Sequence, residues 1–245
     1  MPSYFVMISN ILAHIILPIS IVLSAMLSDQ MSDNKENDFS MHSPDMIDNV
    51  DLEYYAANKT IPDEIRDVTL RALSHFPELL EVDIEFDLRS KIKGSVMQAQ
   101  PKVGSLIFRS KSNRKYRINI SRYLELDDEW LPIEEVPDNV LLGWIGHELG
   151  HVMDYLDKSR MGLISFGFRY VTSNAFVTQA EITADSYAVA GGLGNYLVDT
   201  KNFILNNDRL PEDYRNKIRD LYMSPGEIMT LVDVEEDDDE EEAER

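Results

Sequence analysis

The sequence predicts a single α+β domain, and three observations carry that prediction. Val82, Ile84, Phe86 and Leu88 alternate with Asp83, Glu85, Asp87 and Arg89, the period-two pattern of a strand with one wet face. Leu141, Leu142, Ile145, Leu149, Val152, Met153 and Leu156 recur at helical spacing over a long stretch. Strand-like runs stand before that helix and helix-like runs after it, so the two kinds of element are segregated along the chain. At 245 residues there is room for one domain of ordinary size plus tails.

Residues 4–27 are apolar apart from scattered Ser, Asn, His and Pro, and the run is long enough to span a bilayer, which takes about 20 residues. It carries no Lys or Arg and no good cleavage site, so residues 1–28 read as an anchor or a signal-like segment. A third reading starts the protein near Met31 or Met41. The three readings place the domain at a membrane with its side unassigned, outside the cell, or in the cytoplasm. Residues 29–49 are polar and aperiodic, the composition of a linker, so the folded domain is expected over 50–232.

Within the domain, Thr60-Ile61-Pro62-Asp63-Glu64 has the look of a helix start, with Ile65, Val68, Leu73 and Phe76 inward and Pro77 at the end. His75 reads as structural or exposed rather than as a ligand. The strand at Val82–Leu88 could pair with residues 91–98. Two further strands are expected, Ser105–Arg109 and Tyr116–Ile120, joined by a basic turn. The acidic stretch Glu125–Pro137 reads as a loop leading into the long helix, capped by Asp138 or Asn139 behind Pro137. Residues 158–172 read as a loop holding Phe166, Phe168 and Tyr170, which could line a cleft, touch a membrane, or enter the core, the commonest fate of such residues. Gly191-Gly192-Leu193-Gly194 has no strand before it and no Lys-Ser/Thr after it, so it is a helix stop and not a phosphate loop. Leu210–Met229 reads as a short helix and turn. From Asp233 onward ten acidic residues face one Arg, a net −9 of the chain's −21, and residues 233–245 are expected to be a disordered tail.

The chain has no cysteine, which excludes disulfides, cysteine catalysis and thiolate metal sites, and leaves the compartment open. A net charge of −21 argues against nucleic acid as a partner.

The chemistry is concentrated in two short stretches. In Gly146-His147-Glu148-Leu149-Gly150-His151 the histidines are four apart, so both imidazoles leave one helix face where they can share a metal ion. Glu148 follows the first histidine, where its carboxylate can reach a metal-bound water as a base. In Glu181-Ile182-Thr183-Ala184-Asp185 two carboxylates share a second helix face. Each pair alone could be the polar side of an ordinary helix; their joint occurrence in this order argues otherwise. Gly143, Gly146 and Gly150 form a stripe on the first helix, each costing about 1 kcal/mol relative to Ala, which makes sense if something packs very close.

His147-Glu148-x-x-His151 followed by Glu181-x-x-Ala184-Asp185 resembles the gluzincins, the thermolysin-like and CAAX-prenyl-protease-like zinc peptidases. The resemblance implies a zincin-like fold: a small twisted, mostly antiparallel sheet, with an antiparallel edge strand, packed on the HExxH helix and followed by a helical half. It implies one Zn2+ per chain held by His147, His151 and Glu181, with Asp185 orienting a ligand histidine and Glu148 as general base. It also implies a peptide or protein substrate aligned on the edge strand, about Gly104–Arg109, by β-augmentation. The family's oxyanion-stabilising group has no obvious match, and Tyr187, Arg209, Tyr214 and Arg215 are the candidates. The rival third ligand is Asp157, in a metzincin-like reading. That reading needs a chain break where Asp154 stands, and on an unbroken helix Asp157 lies about 240° from His151. A non-catalytic binding or regulatory module is the alternative function, and the retained Glu148 argues against it.

Overall fold

The computed structural model describes residues 52–243. The expectations for residues 1–28 and for 29–49 lie outside these. No helix among the described residues is long and apolar enough to cross a membrane.

A 3-10 turn at Leu52–Ala56 leads into β1 (Lys59–Thr60) and α1 (Arg66–Ser74), whose Ile65, Val68, Leu73 and Phe76 face is buried. Thr60 lies in β1 and does not cap α1. There follow β2 (Asp83–Arg89), β3 (Met97–Pro101), α2 (Val103–Phe108), β4 (Lys115–Ser121), β5 (Tyr123–Leu126) and β6 (Glu129–Pro132). The rest is helical: α3 (Asp138–Asp157), α4 (Arg160–Thr172), α5 (Asn174–Ala188), a π-turn at Val189–Leu193, α6 (Gly194–Leu205), α7 (Glu212–Leu221) and α8 (Pro225–Ala243). The architecture is α+β, a small mixed sheet followed by a helical half.

The main sheet runs β1-β2-β4-β3 and corrects the expected strand pairing. It is mostly parallel: β1 and β4 flank β2 in parallel, because α1 carries the chain back between β1 and β2, and the strand β3 carries it back between β2 and β4. Only the edge strand β3 is antiparallel, and it pairs with β4, not β2. Segment 104–109, read as the edge strand, lies in the helix α2 except for Arg109. Ser105 sets it: its hydroxyl donates to Lys102 O at 2.8 Å and accepts from Lys115 N at 2.9 Å, which closes a turn. Stretch 125–137, read as a loop, contains most of the β5–β6 hairpin. Asp127 supplies the positive φ of 52° that its two-residue turn needs.

Ile84, Phe86, Tyr116, Ile118 and Ile120 fill the inner face of the sheet. On the outer face Asp83 meets Lys115, and Glu85 meets Arg117 and Lys102. Such exposed pairs contribute about 0–1 kcal/mol each, so burial of the inner face decides the register.

Helix α3 is buried all round from Val140 to Tyr155 and packs against α1, β3, α5 and α6. The glycine stripe explains how. A Cβ on Gly143 would collide with Tyr196 O and the Thr200 hydroxyl of α6, and one on Gly150 with Ala184 O of α5. Gly150→Ala is therefore expected to lower stability by about 1–3 kcal/mol, since a backbone carbonyl cannot step aside. The better helix propensity of Ala, about 1 kcal/mol, offsets only part of this. Urea denaturation checks it, and an unchanged midpoint would refute the close contact.

The π-turn holds Gly192 at a φ of 78°, and His75 Nδ1 lies 2.7 Å from Gly191 O, so His75 ties the α5–α6 corner to the end of α1. Segment 158–172, read as a loop, is mostly helix: Ser159 caps α4 by accepting from Gly162 N at 3.0 Å. Helix α8 runs on to Ala243, past Asp233 where the disordered tail was expected. The stretch lacks Gly and Pro after Gly226, and Glu favours helix.

Candidate metal centre

Helices α3 and α5 cross where Gly150 meets Ala184, a residue 0% exposed. Gly150 precedes His151 and Ala184 precedes Asp185, so this one contact sets the separation of the two functional faces. His147 Nε2 and His151 Nε2 lie 3.0 and 3.2 Å from Glu181 Oε2. One ligand atom from each of the three residues falls within 4.8 Å of the others, in a fully buried group that can hold a metal ion. The spacing fits. Bonds of about 2.0–2.1 Å to a tetrahedral ion put neighbouring ligand atoms roughly 3.3 Å apart.

The surroundings favour one orientation for each ligand. His147 Nδ1 lies 2.7 Å from Asp185 Oδ1, so a proton held there leaves Nε2 free to face the cluster. Lys201, 3% exposed, donates to both Asp185 oxygens at 3.3 and 3.1 Å. Tyr170 of α4 donates to Glu181 Oε1, which leaves Oε2 to the histidines. His151 Nδ1 has no partner among the described residues, and its ring stacks on Tyr155 with centroids 6.1 Å apart. Glu148 Oε2 accepts from Ala99 N of the edge strand β3 at 2.6 Å. Glu148 and His147 also line a small cavity with Ser95, Trp144, Tyr214 and Tyr222.

Burial works against charge on His147, but Asp185 and Glu181 outweigh it and raise the ring's pKa to about 10. Burial also opposes ionisation of Glu181, yet His151 and His147 hold its carboxyl well below the usual range. Burial pushes Glu148 up, against the pull of both histidines. The linkage to pH follows from His147. A pKa raised from 6.5 stabilises the metal-free fold fully below pH 6.5, and that contribution fades as pH rises through about 10. Metal binding needs the neutral ring, so affinity is expected to climb about tenfold per pH unit between pH 6 and 8 as one proton is displaced. Competition against a chelator at several pH values measures this, and a flat profile would refute it.

The other residues singled out in the sequence are scattered. Asp157 is exposed at the end of an unbroken α3, away from the cluster. Tyr187 sits beside Asp157. Arg209 pairs with Glu129 near the β5–β6 turn. Arg215 is half-buried, with its Nε unpartnered among the described residues. Of the four oxyanion candidates only Tyr214 lines the cavity. Tyr170 stands out in the sequence only as one of an aromatic cluster, with no role at the metal, and Lys201 and Tyr222, whose ring centroid lies 5.5 Å from that of His147, go unnoticed there. Phe166 and Tyr170 do share the inward stripe of α4, which helical spacing could have suggested. Comparison of the chain with protein-family models, with curated proteins and with solved structures returns no match.

Proposed function

We propose that the protein is a zinc-dependent endopeptidase of the gluzincin type, with a zincin-like fold. The observation that carries the reading is the buried convergence of His147, His151 and Glu181 with Glu148 one residue from the first histidine. Two imidazoles and a carboxylate, with no thiolate in the chain, suit zinc. When bound, zinc supplies Lewis-acid chemistry, acidifying water and polarising a carbonyl oxygen.

The chain's own residues do the rest. His147, His151 and Glu181 hold the ion, and Asp185, backed by Lys201, orients His147. Glu148 takes the proton of the attacking water and passes it to the leaving amine. Burial raises the proton affinity of its carboxylate, which favours taking that proton up. Tyr214, whose phenol burial pushes well up and so keeps protonated, donates to the developing oxyanion. The peptide lies along β3, in place of the 104–109 segment expected from the sequence, because β3 is the sheet edge next to Glu148.

A second reading, a non-catalytic binding or regulatory module, draws on one observation. Glu148, His147 and His151 are each 5% exposed, so a peptide reaches them only after the cover around Tyr222 moves. Zinc-loaded protein should cleave a quenched-peptide library or casein, lose that activity to a chelator, and regain it with zinc. Full zinc occupancy with no cleavage of any substrate would overturn the peptidase reading in favour of the second.

A further inference from the structure

The aromatic segment of α4 divides between two environments. Leu163 and Phe166 enter the core, while Met161 and Phe168, two turns apart on one stripe, are 53% and 57% exposed. Beside this stripe stands the end of α2, where Phe108 is 85% exposed; Val103, at the start of the same helix, is 47% exposed. Three hydrogen bonds bring the two segments together: Arg160 to Arg109 O at 3.2 Å, Lys111 to Asp157 O at 3.3 Å, and Arg114 to Lys158 O at 2.6 Å. Phe108 and Met161 therefore flank the same contact.

The charge of this corner runs against the rest of the chain. Lys102 to Lys115 holds five basic residues and Lys158 to Thr172 three, with no acidic residue in either stretch, in a chain of net charge −21. Lys102, Lys115 and Lys158 are paired with Glu85, Asp83 and Asp154, and Arg114 is buried. Arg109, Lys111, Arg160 and Arg169 have no ion pair among the described residues, and Arg169 lies over the Phe176 ring at 4.0 Å. Helix α4 also reaches the metal centre from its other side, through Tyr170.

We infer that the α2–α4 face is a docking surface for an anionic lipid bilayer. Exposed Phe108, Met161 and Phe168 enter the headgroup boundary, and Arg109, Lys111, Arg160 and Arg169 meet lipid phosphate and carboxylate. A partner surface that is both negative and able to accept apolar side chains satisfies the two halves of the patch; a purely acidic polypeptide would leave the phenylalanines in water. The surface stands independently of the peptidase reading.

The test is co-sedimentation of the full chain with vesicles of phosphatidylcholine alone and of phosphatidylcholine with phosphatidylserine. Residues 4–27 carry no Lys or Arg, so their binding does not distinguish the two vesicles and the difference reports the basic face. Each cation near such a surface contributes about fivefold in partitioning. Arg109→Glu with Arg160→Glu should therefore cost roughly 30-fold or more on the anionic vesicles, at about fivefold for each lost cation. Phe108→Ser with Phe168→Ser should weaken binding on the same vesicles without abolishing its salt dependence. Lys93→Glu, an exposed charge reversal outside the patch, should match wild type. Equal binding to both vesicles, or patch variants that bind like wild type while their melting temperatures are unchanged, would overturn the proposal. So would capture of poly-glutamate in preference to anionic vesicles, which would assign the face to an acidic polypeptide.

Discussion

Glu148→Gln is expected to keep its metal and lose turnover by about 10²- to 10⁴-fold, the usual contribution of a positioned acid–base group. The substitution keeps the shape of the side chain and leaves His147, His151 and Glu181 untouched. The Ala99 N–H that donates to Glu148 at 2.6 Å can donate to the Gln carbonyl oxygen just as well, so the edge strand should stay in place. An amide cannot take a proton from water near neutral pH, so only the chemical step suffers. Metal content and peptide cleavage measured on the same preparation separate the outcomes. A variant that retains cleavage would remove Glu148 from the base role. One that loses zinc together with activity would make Glu148 part of the metal's support.

Much of the centre is legible in the sequence because its central geometry is local. Four-residue spacing puts His147 and His151 on one face of α3, and Glu181 and Asp185 on one face of α5, whatever the rest of the chain does. The close approach of those faces is also foreshadowed, since the glycine stripe of α3 makes sense only beside a tightly packed neighbour. The groups around the cluster are another matter. Tyr170 and Lys201 come from α4 and α6, and Tyr222 from beyond α7; tertiary packing alone brings them to His147, Asp185 and Glu181. A lysine at position 201 on an amphipathic helix looks like any solvated charge until Asp185 is seen against it.

The misread elements share a physical cause. Six residues such as Val103–Phe108 suit a strand or a helix turn equally well by periodicity, and the choice fell to the Ser105 hydroxyl, which donates to Lys102 O and accepts from Lys115 N on either side of the segment. The hairpin at residues 123–132 was masked by its acidic composition, although Asp127-Asp128, between the alternating runs Tyr123–Leu126 and Glu129–Pro132, is a turn signal of the kind that tolerates positive φ. Parallel pairing of β2 with β4 depends on β3 making the return run on the far side of β4 and leaving the place beside β2 open, which alternation along a single strand does not encode. Residues 158–172 looked like a loop because Gly162 and Gly167 interrupt them, yet Ser159 caps the helix and the Leu163–Phe166–Tyr170 stripe holds it down.

Glu181→Gln is expected to strip most of the metal, a larger loss of occupancy than from changing Glu148, Asp157 or Asp185. It removes the one anionic ligand and leaves the two imidazoles to share the ion with a neutral amide, a poor ligand for zinc. The Tyr170 hydroxyl can still donate to the Gln carbonyl, so the loss should not come from collapse of α4 against α5. Asp185→Asn should cost on the order of 10–100-fold in metal affinity, the usual effect of losing a carboxylate that orients a ligand histidine. It would also leave Lys201 buried without its counter-charge. Asp157→Asn should behave like wild type, because α3 continues unbroken through Asp154 and Asp157 ends it in solvent. Zinc retention after dialysis should therefore rank Asp157→Asn with wild type, Asp185→Asn below them and Glu181→Gln lowest. If Asp157→Asn lost the metal while Glu181→Gln kept it, the ion would sit at the far end of α3. The convergence of His147, His151 and Glu181 would then be a buried polar cluster and not a metal centre.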